Sequence, residues 1–131
     1  MTRALLLGAA AAAATLAFTA PASAQFFNWQ TIGYKTVSGG TDRDTIRVHG
    51  GRRYHSLRLC SFNAPIRMLD FDIRYENGGH QDVQVRDLIR AGSCTRAIDL
   101  RGNRRDIRQI RLVYGQILRS AHRPLVRVQA R

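Results

Sequence analysis

Hydrophobic and polar positions alternate with a period of two over much of this chain. The clearest stretch is residues 66–75, where Leu69, Phe71, Ile73 and Tyr75 fall on one side of an extended backbone and Asp70, Asp72 and Arg74 on the other. That is the pattern of a strand with one buried face. Glu76-Asn77-Gly78-Gly79 follows, and Asn-Gly turns readily because both residues tolerate positive φ. Residues 81–85 are therefore expected to return as the partner of a hairpin, with Val83 and Val85 inward. Shorter runs of the same kind predict strands at 29–37, at 45–49 with Ile46 and Val48 on one face, and at 54–62, where Leu57 and Leu59 oppose Arg58 and Cys60. Further strands are predicted at 94–100, with Ile98 and Leu100 on the side of Cys94, and at 125–128. Residues 87–92 read as a short helical turn or a loop.

The segment 104–121 fits two periods. Ile110, Leu112 and Tyr114 alternate as in a strand, whereas Ile107, Ile110, Tyr114, Ile117 and Leu118 would share a helical face. Gly115 would cost a helix about 1 kcal/mol, and the surroundings are β throughout. A strand over 108–114 and a loop over 115–123 are expected. Glycine steps at Gly39-Gly40, Gly50-Gly51, Gly92 and Gly102-Asn103 punctuate the chain. About seven or eight short strands with one apolar face each pack most simply as a two-sheet antiparallel β-sandwich, an all-β fold.

The first residues stand apart from this pattern. A positive start with Arg3, an uncharged apolar run over 4–18, and Pro21 before Ala22-Ser23-Ala24 have the order of parts of a secretory signal peptide. The expectation is a leader over 1–24 and a single domain over 25–131, exported to the periplasm or beyond, with no transmembrane segment in the mature chain. Export favours a disulfide, and two cysteines, Cys60 and Cys94, allow one pairing. Closing that loop is worth about 3–4 kcal/mol in the chain-entropy model.

Charge changes the picture most. The chain has 21 basic and 9 acidic residues, a net +12. Lys35 is the only lysine, so the basicity is arginine. A surplus of this size attracts polyanions, and export makes an envelope polyanion a better match than nucleic acid. Arg101, Arg104, Arg105, Arg108, Arg111, Arg119, Arg123, Arg127 and Arg131 crowd the last third, where Asp106 is the only acid after residue 100. If 108–114 and 125–128 are strands, outward arginines would line one sheet face or edge. Arg101, Arg104, Arg105, Arg108, Arg111, Arg123 and Arg127 are the candidate polyanion-binding set, since guanidinium grips phosphate, sulfate or carboxylate in bidentate fashion. The alternative is a solvated basic face that discourages edge-to-edge association.

A set of motifs carries a resemblance. Trp29-x-x-Ile32-Gly33, Asp42-Arg43-Asp44-Thr45-Ile46-Arg47-Val48 and Arg58-Leu59-Cys60 with Asn63, Pro65 and Ile66 come first. Asn77-Gly78-Gly79-x-Gln81 follows, and then Arg96-x-Ile98-Asp99-Leu100-x-Gly102-x-x-Arg105-x-Ile107-x-x-Ile110-x-Leu112-x-Tyr114. Together they resemble an uncharacterised family of small exported bacterial proteins with a domain of unknown function. The resemblance implies a secreted all-β domain and supplies no activity, ligand or catalytic residue.

Signs of catalysis are sparse. Ser38, Ser56, Ser61, Ser93 and Ser120 lie outside any Gly-x-Ser-x-Gly elbow. His49, His55, His80 and His122 show no metal-ligand spacing, although His49 and His55 flank one turn. Asp70 with Asp72, and Asp42 with Asp44, could hold Ca²⁺ or act as a glycosidase pair. Pairing with Arg67 and Arg74, or with Arg43 and Arg47, is the expected arrangement. Phe26, Phe27 and Trp29 read first as core packing and second as a sugar-stacking or membrane-interface patch. No catalytic residue, metal or cofactor is expected. The leading expectation is a non-enzymatic binding module for anionic glycan or lipid head groups. The alternatives are an accessory protein docking on another envelope protein and, third, a small hydrolase or Ca²⁺-dependent lectin.

Overall fold

The computed structural model describes residues 28–37, 43–49, 51–117 and 122–131. The expected leader over 1–24, Phe26, Phe27, Asp42, Arg119 and part of the expected loop over 115–123 lie outside the described residues. Ten strands are present among the described residues: β1 (Gln30–Thr36), β2 (Arg43–Arg47), β3 (Arg53–Tyr54), β4 (Ser56–Phe62), β5 (Ile66–Tyr75), β6 (His80–Val83), β7 (Asp87–Ile89), β8 (Ile98–Asp99), β9 (Arg105–Tyr114) and β10 (Leu125–Ala130). They form two antiparallel sheets. One has the order β1-β10-β4-β8; the other runs β2-β9-β5-β6, with β3 also on β9 and β7 also on β5. The all-β sandwich expected from the period-two pattern is what the chain adopts.

The inward faces make one core. Leu57 and Leu59 of β4 and Val126 and Val128 of β10 come from one sheet. Phe71 and Ile73 of β5 and Ile110, Leu112 and Tyr114 of β9 come from the other. Ile46 and Val48 are both buried, as are Val83, Val85, Ile98 and Leu100. The turn after β5 has Gly78 at φ 87°, with Gly78 N–H donating to Tyr75 O and Tyr75 N–H to Gly79 O.

Several boundaries differ from the sequence reading, each for a local reason. Leu69 does not share the buried face of Phe71, Ile73 and Tyr75; it is 39 % exposed. Met68 pairs with Tyr114 and Asp70 with Val113, so Leu69 is an extra residue bulged out of β5. Ile66 and Met68 point inward before the bulge, and Phe71 restores the phase after it. A β-bulge shifts the alternation in this way.

The expected strand over 54–62 is broken at His55 because the chain changes sheets there: Tyr54 pairs with Arg105 of β9, whereas β4 pairs with β10 and β8. Residues 87–92 begin with a strand, β7, rather than a helical turn, because Asp87, Leu88 and Ile89 extend the sheet beside Met68, Arg67 and Ile66. Residues 94–100 are strand only at Ile98–Asp99, with a single bridge at Cys94. The Thr95 hydroxyl accepts the Leu59 N–H at 3.1 Å and donates to Arg96 O, an alternative to a continued ladder.

The pairing of Cys60 with Cys94 is a disulfide (S–S 1.94 Å, Cα–Cα 3.9 Å). It sits on a bridge flanked by Ser61 N–H to Ser93 O and Thr95 N–H to Leu59 O. No described helix is long and apolar enough to cross a membrane.

Candidate arginine–aromatic face

Register decides where each arginine points. On β4, Leu57 and Leu59 face inward, so Arg58, Cys60 and Phe62 face outward. Arg127 pairs with Cys60 on one side and Tyr34 on the other; Gln129 pairs with Arg58. The outer face of the four-stranded sheet therefore carries Tyr34, Arg127, Cys60, Phe62, Gln129 and Arg58 side by side.

Three guanidiniums on this face lie on aromatic rings. Arg127 is 4.3 Å from the Phe62 ring centroid. Arg58 and Arg131 lie 4.4 and 4.3 Å from that of Trp29. Such contacts are worth about 0.5–2 kcal/mol each. The Arg58 guanidinium also donates to Gln129 Oε1 at 2.9 Å. Burial, and then the positive charge of Arg131, pull the Arg58 pKa below its ordinary value. Two like charges thus share one indole. The ion pairs Lys35–Asp44 and Arg74–Asp72 and the His80–Asp72 contact lie elsewhere. Arg131 is held in place because its carbonyl oxygen accepts the N–H groups of His55 and Ser56. Trp29 stands outside the buried core, in contrast to the core-packing role expected for it, because Arg58 turns away from the core.

The seven arginines singled out from the sequence do not form one patch. Arg101, Arg104 and Arg105 meet at one end of the sandwich, where Arg104 and Arg105 line a depression of about 390 Å³ together with Arg53, Glu76, Asn77 and Asp106. Arg105 is committed there: it stacks on Tyr75 at 3.7 Å and donates to Arg101 O and Asn77 Oδ1. Arg108 is the bulged residue of β9, since Arg74 pairs with Gln109 and Tyr75 with Ile107. Arg111 lies on the outer face of the six-stranded sheet, and Arg123 is exposed ahead of β10. Only Arg127 belongs to the arginine–aromatic face. The cause is topological: β9 and β10 follow one another in the chain but belong to different sheets.

The outer face of the six-stranded sheet is charged with both signs. Cross-strand rows run Thr45–Arg111–Asp72–Asp82 and Arg47–Gln109–Arg74–His80, with Asp70 opposite Val113, itself opposite Arg43. A shallow cleft of about 500 Å³ opens here. Asp72 pairs with Arg74, as expected from the sequence, and also with His80 at 3.1 Å. Asp70 instead lies beside Asp82. Burial first, then the hydrogen bond to Asp82 and its charge, push the Asp70 pKa up to about 6. Asp44 faces the core rim, where Lys35 pairs with it at 2.9 Å and Tyr114 Oη donates to it at 2.7 Å. His55 and His49 are both exposed, and His55 Nδ1 lies 3.2 Å from Asn103 Oδ1. Among the described residues, no group of three or more His, Cys, Asp or Glu is placed to hold a metal ion.

Nothing local in the sequence marks Arg58, Trp29, Tyr34 and Phe62 as a set. Their signal was present only as alternation: each outward position lies next to an inward one, but nothing local says that β1, β10 and β4 are neighbours.

No curated protein and no solved structure matches this chain. One family model does, over residues 6–130 and so nearly the whole sequence: the chain belongs to the family described as a domain of unknown function, DUF2541.

Proposed function

We propose that this protein is an exported, non-enzymatic binding module of the periplasm or extracellular space. In this reading it engages an anionic envelope component, polysaccharide or lipid phosphate, on the outer face of its four-stranded sheet. The observation that carries the reading is the Arg58–Trp29–Arg131 cluster. Two guanidiniums are held against one ring with mutual repulsion, and an anion bound beside them would relieve it. Without Arg3 of the leader, 20 basic and 9 acidic residues leave a net charge of +11, which supplies long-range attraction, and the disulfide fits an oxidising compartment.

The test is a salt titration of binding to acidic polysaccharide and to anionic vesicles. Affinity should fall steeply between low and physiological salt, and Arg58→Gln with Arg131→Gln should weaken it about tenfold or more, in line with charge-assisted hydrogen bonds worth about 1.5–3 kcal/mol. Binding that ignores both salt and these substitutions would sink the reading.

A second reading, docking on another envelope protein, is favoured by Leu69 and Leu88. They are 39 % and 43 % exposed on β5 and on β7, which pairs with it. Recovery of one stoichiometric protein partner that survives high salt and is lost in Leu88→Asp would favour it over the first.

A further inference from the structure

We infer that the occupant of the arginine–aromatic face is a chain of acidic sugars, with carboxylates on the guanidiniums and one sugar ring stacked on Tyr34. The inference rests on the polyanion reading above and narrows it to one ligand class. Tyr34 is 70 % exposed, more than Leu69 or Leu88, the other large hydrophobic side chains left exposed among the described residues. Its cross-strand partner is Arg127, so a bare aromatic ring stands beside a cation on one face. A pyranose ring offers an apolar C–H face that covers an aromatic ring, and a uronate adds a carboxylate on the same residue. A phosphate oligomer or an inorganic ion has the charge without the apolar face.

The spread of charge also favours a polymer. Arg127 and Arg131 are four residues apart along one extended segment, about 13 Å at strand rise. A single small anion does not bridge that span, whereas consecutive charges on an extended chain do. The guanidiniums of Arg127, Arg58 and Arg131 have a flat side taken up by Phe62 or Trp29. Apart from the Arg58 Nε–H, which Gln129 Oε1 already accepts, their N–H groups are what remains to donate in plane, the geometry that suits carboxylates. A bilayer is the weaker match, because Leu69 and Leu88 belong to the other sheet and, among the described residues, Tyr34 is the one exposed large apolar side chain on this face.

The experiment is calorimetric titration of the disulfide-bonded chain at low salt with three probes: oligogalacturonate, inorganic polyphosphate of matched charge, and phosphatidylglycerol vesicles. Oligogalacturonate should bind. Tyr34→Ala should weaken it about tenfold, the scale of one lost ring stack, while leaving polyphosphate binding within twofold. Arg127→Gln should weaken both. Equal losses for both probes in Tyr34→Ala, or no loss for either, would overturn the inference while leaving the polyanion reading in place. Binding to polyphosphate or vesicles but not to oligogalacturonate would do the same. If none of the three probes binds, the polyanion reading falls as well. Because Tyr34 projects into solvent, a circular dichroism spectrum unchanged from the parent is expected for its alanine variant.

Discussion

Asp70 is a carboxyl group in an environment that prefers its neutral form. Its Oδ1 is buried without a hydrogen-bond partner, burial and the neighbouring Asp82 disfavour its charged form, and its pKa is raised to about 6. A folded-state pKa above the unfolded one means that the native state binds the proton more tightly. The contribution of Asp70 to stability is therefore complete below the unfolded value near 4 and is lost as the pH rises through about 6. The melting temperature of the parent, measured against Asp70→Asn, should lose ground steadily from pH 4 to pH 7, with the variant the more stable above pH 7. Parallel melting curves across that range would contradict the assignment. Gln81 is the opposite case, a buried polar side chain with every group used. Its Oε1 accepts Tyr75 Oη–H at 2.6 Å and Arg101 N–H at 2.9 Å, and its Nε2 donates to Asp99 O at 3.1 Å. It joins β6 of one sheet to the β8 end of the other. Gln81→Leu would leave the buried Tyr75 hydroxyl without its acceptor, and the part-buried Arg101 N–H and Asp99 O without partners, at about 1–3 kcal/mol for such a buried group. Urea unfolding should show a loss of about 2–3 kcal/mol.

At the level of strands, two bulges explain what periodicity alone misplaced. The extra residue Leu69 on β5 puts three steps between the inward Met68 and Phe71; Arg108 on β9 does the same between Ile107 and Ile110. A spacing of three is also helical, which is why 104–121 fitted two periods. The strand begins at Arg105, three residues earlier than the alternation suggested. The edge of the sandwich depends on close approach at Gly33. A Cβ there would lie 2.9 Å from Arg47 O and 2.9 Å from Ile46 Cγ2. The first of these is backbone and cannot swing away. Gly33→Ala should therefore push β1 from β2 and cost about 1–3 kcal/mol, the usual range for overpacking. Thermal melting would show this, with added amide exchange in β1.

Across the whole molecule, the disulfide fastens the Cys94 segment to β4 over a sequence separation of 34 residues. Replacing both cysteines by serine should lower stability by about 3–4 kcal/mol in the chain-entropy model, readable as a fall in the urea midpoint together with a steeper slope, since the denatured chain without its crosslink exposes more surface. The same global geometry governs the charge. Arginines close together in the last third of the sequence separate onto two outer faces and one end of the sandwich, since β8, β9 and β10 alternate between the sheets. The arginine–aromatic face gathers instead residues from far apart in the chain: Trp29 and Tyr34 near the start, Arg58 and Phe62 in the middle, Arg127 and Arg131 at the end.

Local alternation, turn chemistry and a single possible cysteine pair were enough to specify an all-β chain, its main hairpin and its crosslink, because each depends on neighbours in sequence or on counting. Bulges, the change of sheet at His55 and the gathering of three guanidiniums on two rings depend on which strand lies beside which. That choice is made by packing two twisted apolar faces against each other, a cooperative property of the whole chain that no window of residues contains.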